Sequence, residues 1–176
     1  MLAPEVPMSH SVAGEPPSAG HRSGAPEAGY SAAEWELLTR LPGQVIVVAT
    51  APGPGRPRRG VAEGLAGLDG LAAGRAFDSD LVRAVAAAVY AESVAPRPRV
   101  DPLTDLIDVL ASCRAAVRVL GRRADPADSA AYRQWVQSVA ARVCRAAGDG
   151  HGAGDAPGSP ADRRFLERLG EALGLR

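Results

Sequence analysis

Lysine is absent from this 176-residue chain: all twenty of its basic residues are arginine, and twenty acidic residues balance them to a net charge of zero. Without lysine there is no GxxxxGK[ST] phosphate loop, and Pro52-Gly53-Pro54-Gly55 is too rich in proline to supply a run of backbone N–H groups in its place. Without net charge, the chain as a whole has no electrostatic pull toward nucleic acid or an anionic membrane. The arginine-only composition reads as the bias of a GC-rich coding sequence. No apolar stretch approaches the length of a membrane span, and Met1 to Gly20 holds no apolar signal core, so a cytoplasmic protein without membrane insertion is expected. Only two cysteines occur, Cys113 and Cys144, with no CxxC or metal-ligand spacing, and both are expected to be reduced core residues. The three histidines, His10, His21 and His151, fall in tail or loop sequence, so neither a Ser–His nor a Cys–His pair can be set on rigid elements. Strand-forming sequence is nearly missing too, the run Val45-Ile46-Val47-Val48 being its one instance.

What remains is helix. Twenty glycines and fifteen prolines crowd into the first thirty residues and a few loops. Residues 1–30 carry almost no bulky apolar side chains and read as a disordered tail, in which His10 and His21 are spectators. From residue 31 to 176 the periodicity predicts a single all-α domain of about seven helices in two related halves, about 31–93 and 101–176, joined by a linker over 94–100. Ser31-Ala32-Ala33-Glu34 is a capping box opening a helix over about 32–40, and Pro42 suits the first turn of a second helix. A third spans about 60–73 with Val61, Leu65, Leu68 and Leu71 on its apolar stripe. Its glycines 64, 67 and 70 recur every third residue, either as a smooth face for close helix approach or as a mere shortage of side chains. Asp78 is the expected cap of the fourth helix. Asp101-Pro102 opens the fifth, with Leu106, Ile107, Leu110 and Cys113 turned inward and Gly121 as its stop. The sixth, from about Ala127, has the cleanest stripe, Tyr132, Trp135, Val136, Val139, Val143 and Cys144, and is expected to be central. Ser159-Pro160-Ala161-Asp162 caps the seventh.

The halves share a pattern of apolar helix, Gly/Pro-rich loop and amphipathic helix: Leu41 to Ala51, Pro52 to Gly60 and Val61 to Ala73 in one, Tyr132 to Ala147, Gly148 to Gly158 and Ser159 to Leu175 in the other. Over residues 31–176 the chain resembles the TerB-like (tellurite-resistance) helical family. The resemblance is carried by Glu34-Trp35 through Leu41-Pro42, the Val45-to-Ala49 run, Tyr132-Arg133-Gln134-Trp135, the Val139-to-Ala147 helix, the glycine loop after it and the segment from Ser159 to Leu175. It implies a non-enzymatic, stress-associated protein that binds a partner or ligand, with a protein partner expected. In that family the first loop typically reads Ala-Asp-Gly followed by further acids, a set suited to a divalent cation. Here Arg56, Arg58 and Arg59 stand in that loop and only Glu63 remains acidic, so no cation site is expected in the first half.

The second loop keeps Asp149, His151 and Asp155, with Asp162 beyond, a sparse set that is the alternative reading as a divalent-cation site and otherwise a flexible polar loop. Paired arginines, Arg58-Arg59 and Arg163-Arg164, open the helix after each loop, either as solvated surface or as an anion or partner site at a helix start. Asp101, Asp105 and Asp108 share a helix start, where capping is the ordinary use of carboxylates. A third reading, an enzyme, would require a pocket joining Asp105 or Glu63 to Arg58 or Arg59.

Overall fold

The computed structural model of the chain describes residues 26–52, 60–93, 105–146 and 159–175. These residues form an all-α fold of six helices: α1 (Ala32–Thr50), α2 (Val61–Ala73), α3 (Asp80–Ser93), α4 (Leu106–Arg123), α5 (Pro126–Ala146) and α6 (Pro160–Ala172). Short 3-10 turns, Pro26–Gly29 and Gly74–Ala76, precede α1 and follow α2. The expected seven become six because α1 runs unbroken through Pro42.

An interior proline removes the N–H that would bond the carbonyl four residues back. That carbonyl belongs to Leu38, and the buried Tyr132 hydroxyl of α5 donates to it at 2.8 Å. The orphan acceptor created by Pro42 thus becomes a cross-helix bond, and the helix has no need to stop. Burial pushes the Tyr132 phenol well above its ordinary pKa, so it stays a donor.

The central position expected of the helix with the cleanest stripe is what the structure shows. α5 packs against each of the other five helices, and Tyr132, Trp135, Val136, Val139, Val143 and Cys144 are all buried in one core to which every helix contributes. Both cysteines are free and buried, and burial pushes the Cys113 thiol up to about 12. The halves pack differently: α2 lies chiefly on α5 of the other half, whereas α6 lies on α4 and α5 of its own.

Helix ends follow local chemistry, with three departures from expectation. α3 is capped by Ser79, not Asp78: the Ser79 hydroxyl accepts from the Val82 N–H at 3.2 Å while donating to Asp128 at 2.6 Å, which pins α3 to the first turn of α5. α4 begins with Asp105 as its cap, accepting from the Asp108 N–H; Asp101-Pro102 lies outside the described residues. Gly121 does not end α4, which continues to Arg123 because nothing demands a positive φ there; the chain turns at Ala124, ahead of Asp125-Pro126. The capping boxes of Ser31 and Ser159 stand as expected. Gly174, at φ 63°, closes α6 with the Leu175 N–H returning to the Gly170 carbonyl. Residues 26–30, expected within the tail, instead form a turn, and half-buried Tyr30 packs on Trp35 with ring centroids 6.0 Å apart; residues 1–25 lie outside the described residues.

Glu34 joins the two helix ends that meet beside this turn. It accepts from the Ser31 N–H at 2.9 Å and pairs with Arg122 at 3.4 Å and Arg123 at 3.6 Å in the last turn of α4. The Ser31 N–H first, and the arginines after it, hold its carboxyl below the usual carboxylate range. A carboxylate depressed in the folded state contributes stability above its unfolded pKa of about 4.3, and that contribution fades as pH falls through the folded value. Glu34→Gln is therefore expected to lower the Tm at pH 7, with the gap to wild type narrowing toward pH 3. A gap that does not change with pH would assign the loss to packing.

Candidate functional site

The geometry of α2 sets the surface of this molecule. The stripe expected to face inward, Val61, Leu65 and Leu68, faces out, at 80, 55 and 51% exposure, and only Leu71 of that set is buried. The inward face is made instead of Gly67, Gly70 and Gly74 with Leu71. A Cβ at Gly67 would stand 3.0 Å from Ile46 and Val143, and one at Gly70 would stand 3.2 Å from the Val139 backbone. At Gly74 it would stand 2.7 Å from the Trp135 ring. The glycine face thus serves close helix approach at positions 67 and 70, while Gly64 has open space around it. Trp135 completes the seat: the Gly74 N–H turns to the Leu71 carbonyl, and the Gly70 carbonyl accepts the Trp135 indole N–H at 3.1 Å.

With its small residues spent on the interface, α2 carries its large ones to solvent. Three of the five large apolar side chains most exposed among the described residues lie on this ridge, the others being Val47 and Ile107. Exposed apolar residues scattered singly are ordinary; a row at i, i+4 and i+7 is the pattern by which one helix receives another. On the α5 side the ridge falls into a groove of about 280 Å³ lined by Ala66, Asp69, Arg142, Arg145 and Ala146. On the α3 side Tyr90 donates to the Leu68 carbonyl at 3.3 Å, and Arg75 lies over the Tyr90 ring at 4.2 Å from its centroid. A second groove, of about 290 Å³, lies where Gln44 and the paired Glu36 and Arg40 of α1 face Ser112 of α4.

Of the site residues read from the sequence, Arg58, Arg59, Asp149, His151 and Asp155 lie outside the described residues. Asp162 is 2% exposed in the first turn of α6, its carboxylate accepting from the Ser159 N–H at 3.1 Å and the Ser159 hydroxyl at 3.0 Å. Arg163 and Arg164 follow it, both exposed. Glu63 accepts from the Gly60 N–H at 2.8 Å and Asp105 caps α4, so each carboxylate serves its own helix start. Among the described residues no three His, Cys, Asp or Glu side chains gather as a metal site, and no helix is long and apolar enough to cross a membrane.

Sequence reasoning missed the outward ridge and the Arg142/Arg145 pair beside it. The available signal was the glycine spacing, because a helix cannot turn both its glycine face and the opposite leucine face toward the same neighbour. No protein-family model, no curated protein and no solved structure matches the chain.

Proposed function

We propose that this chain is a non-enzymatic helical protein of TerB-like type that holds a protein partner on the outer face of α2, in the stress-associated setting the resemblance implies. The family and setting rest on the sequence resemblance over residues 31–176. The mode of binding rests on one observation: Val61, Leu65 and Leu68 form an exposed row on a helix whose opposite face is seated on α5. A helix held so closely on one side offers a stiff edge on the other, and stiffness lowers the entropy lost on binding.

Site-specific photo-crosslinking in the host from which the protein comes tests this. A crosslinking side chain at Leu65 is expected to capture a discrete protein that the same group at Glu167, exposed on α6, does not. Leu68→Asp in the same chain is expected to abolish the capture. Equal capture from both positions, or none from Leu65, would overturn the reading.

A further inference from the structure

The charge beside the ridge says what kind of partner it suits. Close seating over Gly70 lays the Arg142 side chain against α2, its Cδ 3.1 Å from where a Cβ at Gly70 would be. Arg142 and Arg145 therefore line the groove next to the ridge, and neither has an ion-pair partner among the described residues. Asp69 opposes them in that groove, two guanidinium groups to one carboxylate. Arg75 adds positive charge on the other flank, while Glu63 is turned back onto the Gly60 N–H. An apolar row bordered by arginines that have no ion-pair partner among the described residues complements an amphipathic helix whose apolar face is bordered by acids, because guanidinium–carboxylate pairs fix the register that leucine contacts leave loose.

The geometry points to an acidic amphipathic helix of a partner protein as the occupant of this face, its apolar residues on Leu65 and Leu68 and its carboxylates on Arg142 and Arg145. This rests on the protein-binding reading of α2 and specifies the partner's chemistry.

Two synthetic helical peptides serve as probes on the full-length protein: both carry leucines at i, i+3, i+4 and i+7, one with Glu and the other with Lys bordering the leucines. In a fluorescence anisotropy titration the Glu peptide is expected to bind about tenfold or more tightly than the Lys peptide at low salt. R142E/R145E is expected to invert that preference. L65S/L68S is expected to weaken both peptides about tenfold, with helical circular dichroism unchanged. A Lys peptide that binds as well as the Glu peptide would overturn the acidic partner and leave the ridge as a docking face. Binding of neither peptide would overturn both readings. A sedimenting dimer that Leu65→Glu dissociates would assign the face to a second copy of this chain, and the acidic partner would fall.

Discussion

Gly74→Ala is expected to destabilise the protein by about 3 kcal/mol, the upper part of the usual range for overpacking a core. Backbone preference alone predicts the opposite. Gly74 sits at φ −58° and ψ −26°, where alanine is at ease and lowers the entropy of the unfolded chain, a gain of up to about 1 kcal/mol. Sterics decide the sign, because the new methyl would stand 2.7 Å from two carbons of the Trp135 ring. Trp135 is fully buried and held by its bond to the Gly70 carbonyl, so it cannot swing aside without breaking that buried bond. Gly64→Ala and Gly121→Ala are the controls, with nothing within 4 Å of either Cβ, and each is expected to raise stability by about 0.5–1 kcal/mol. Urea unfolding of the three variants checks the order; a neutral Gly74→Ala would mean that α2 does not sit on Trp135 as described.

Tyr132→Phe is expected to cost about 2 kcal/mol, more than an ordinary hydrogen bond, because it leaves a buried carbonyl with no donor. The Leu38 carbonyl lost its helical donor to Pro42 and has the Tyr132 hydroxyl instead. The same substitution in a Pro42→Ala background is expected to cost less than half as much, since an alanine in place of the proline would bring back the N–H. Non-additivity of this kind marks two residues that share one acceptor. Equal costs in both backgrounds, measured by a double-mutant cycle in urea, would refute the link between proline and tyrosine.

Both expectations involve places where the linear pattern misleads in a traceable way. The stripe of α5 is legible because a long helix packed on several sides must repeat its apolar residues every three or four positions. The Ser31 and Ser159 boxes are legible because capping is local and needs no knowledge of the rest of the chain. Pro42 reads as a helix start only while Tyr132, far along the chain, is out of view. α2 reads inside out because hydrophobicity assigns leucine to the core, whereas here the core side is filled by another helix's Val139, Val143 and Trp135, and only glycine leaves room for them. For the site, the acids and arginines singled out in the sequence are either helix caps, as Glu63, Asp105 and Asp162 are, exposed surface, as Arg163 and Arg164 are, or lie outside the described residues. The groove arginines 142 and 145 carry no signal of their own in the sequence, since an arginine pair on a helix surface gains meaning only from the ridge that packing places beside it.

The binding surface depends on the orientation of α2, with Gly67 and Gly70 turned in and Leu65 and Leu68 turned out. Urea unfolding of the L65S/L68S variant tests it most directly. The expected loss is no more than about 1 kcal/mol per site, in keeping with half-exposed side chains, against about 3 kcal/mol or more for Leu71→Ser, where a polar hydroxyl replaces a buried leucine. A double variant that loses as much per site as Leu71→Ser would put the ridge in the core and remove it as a docking face.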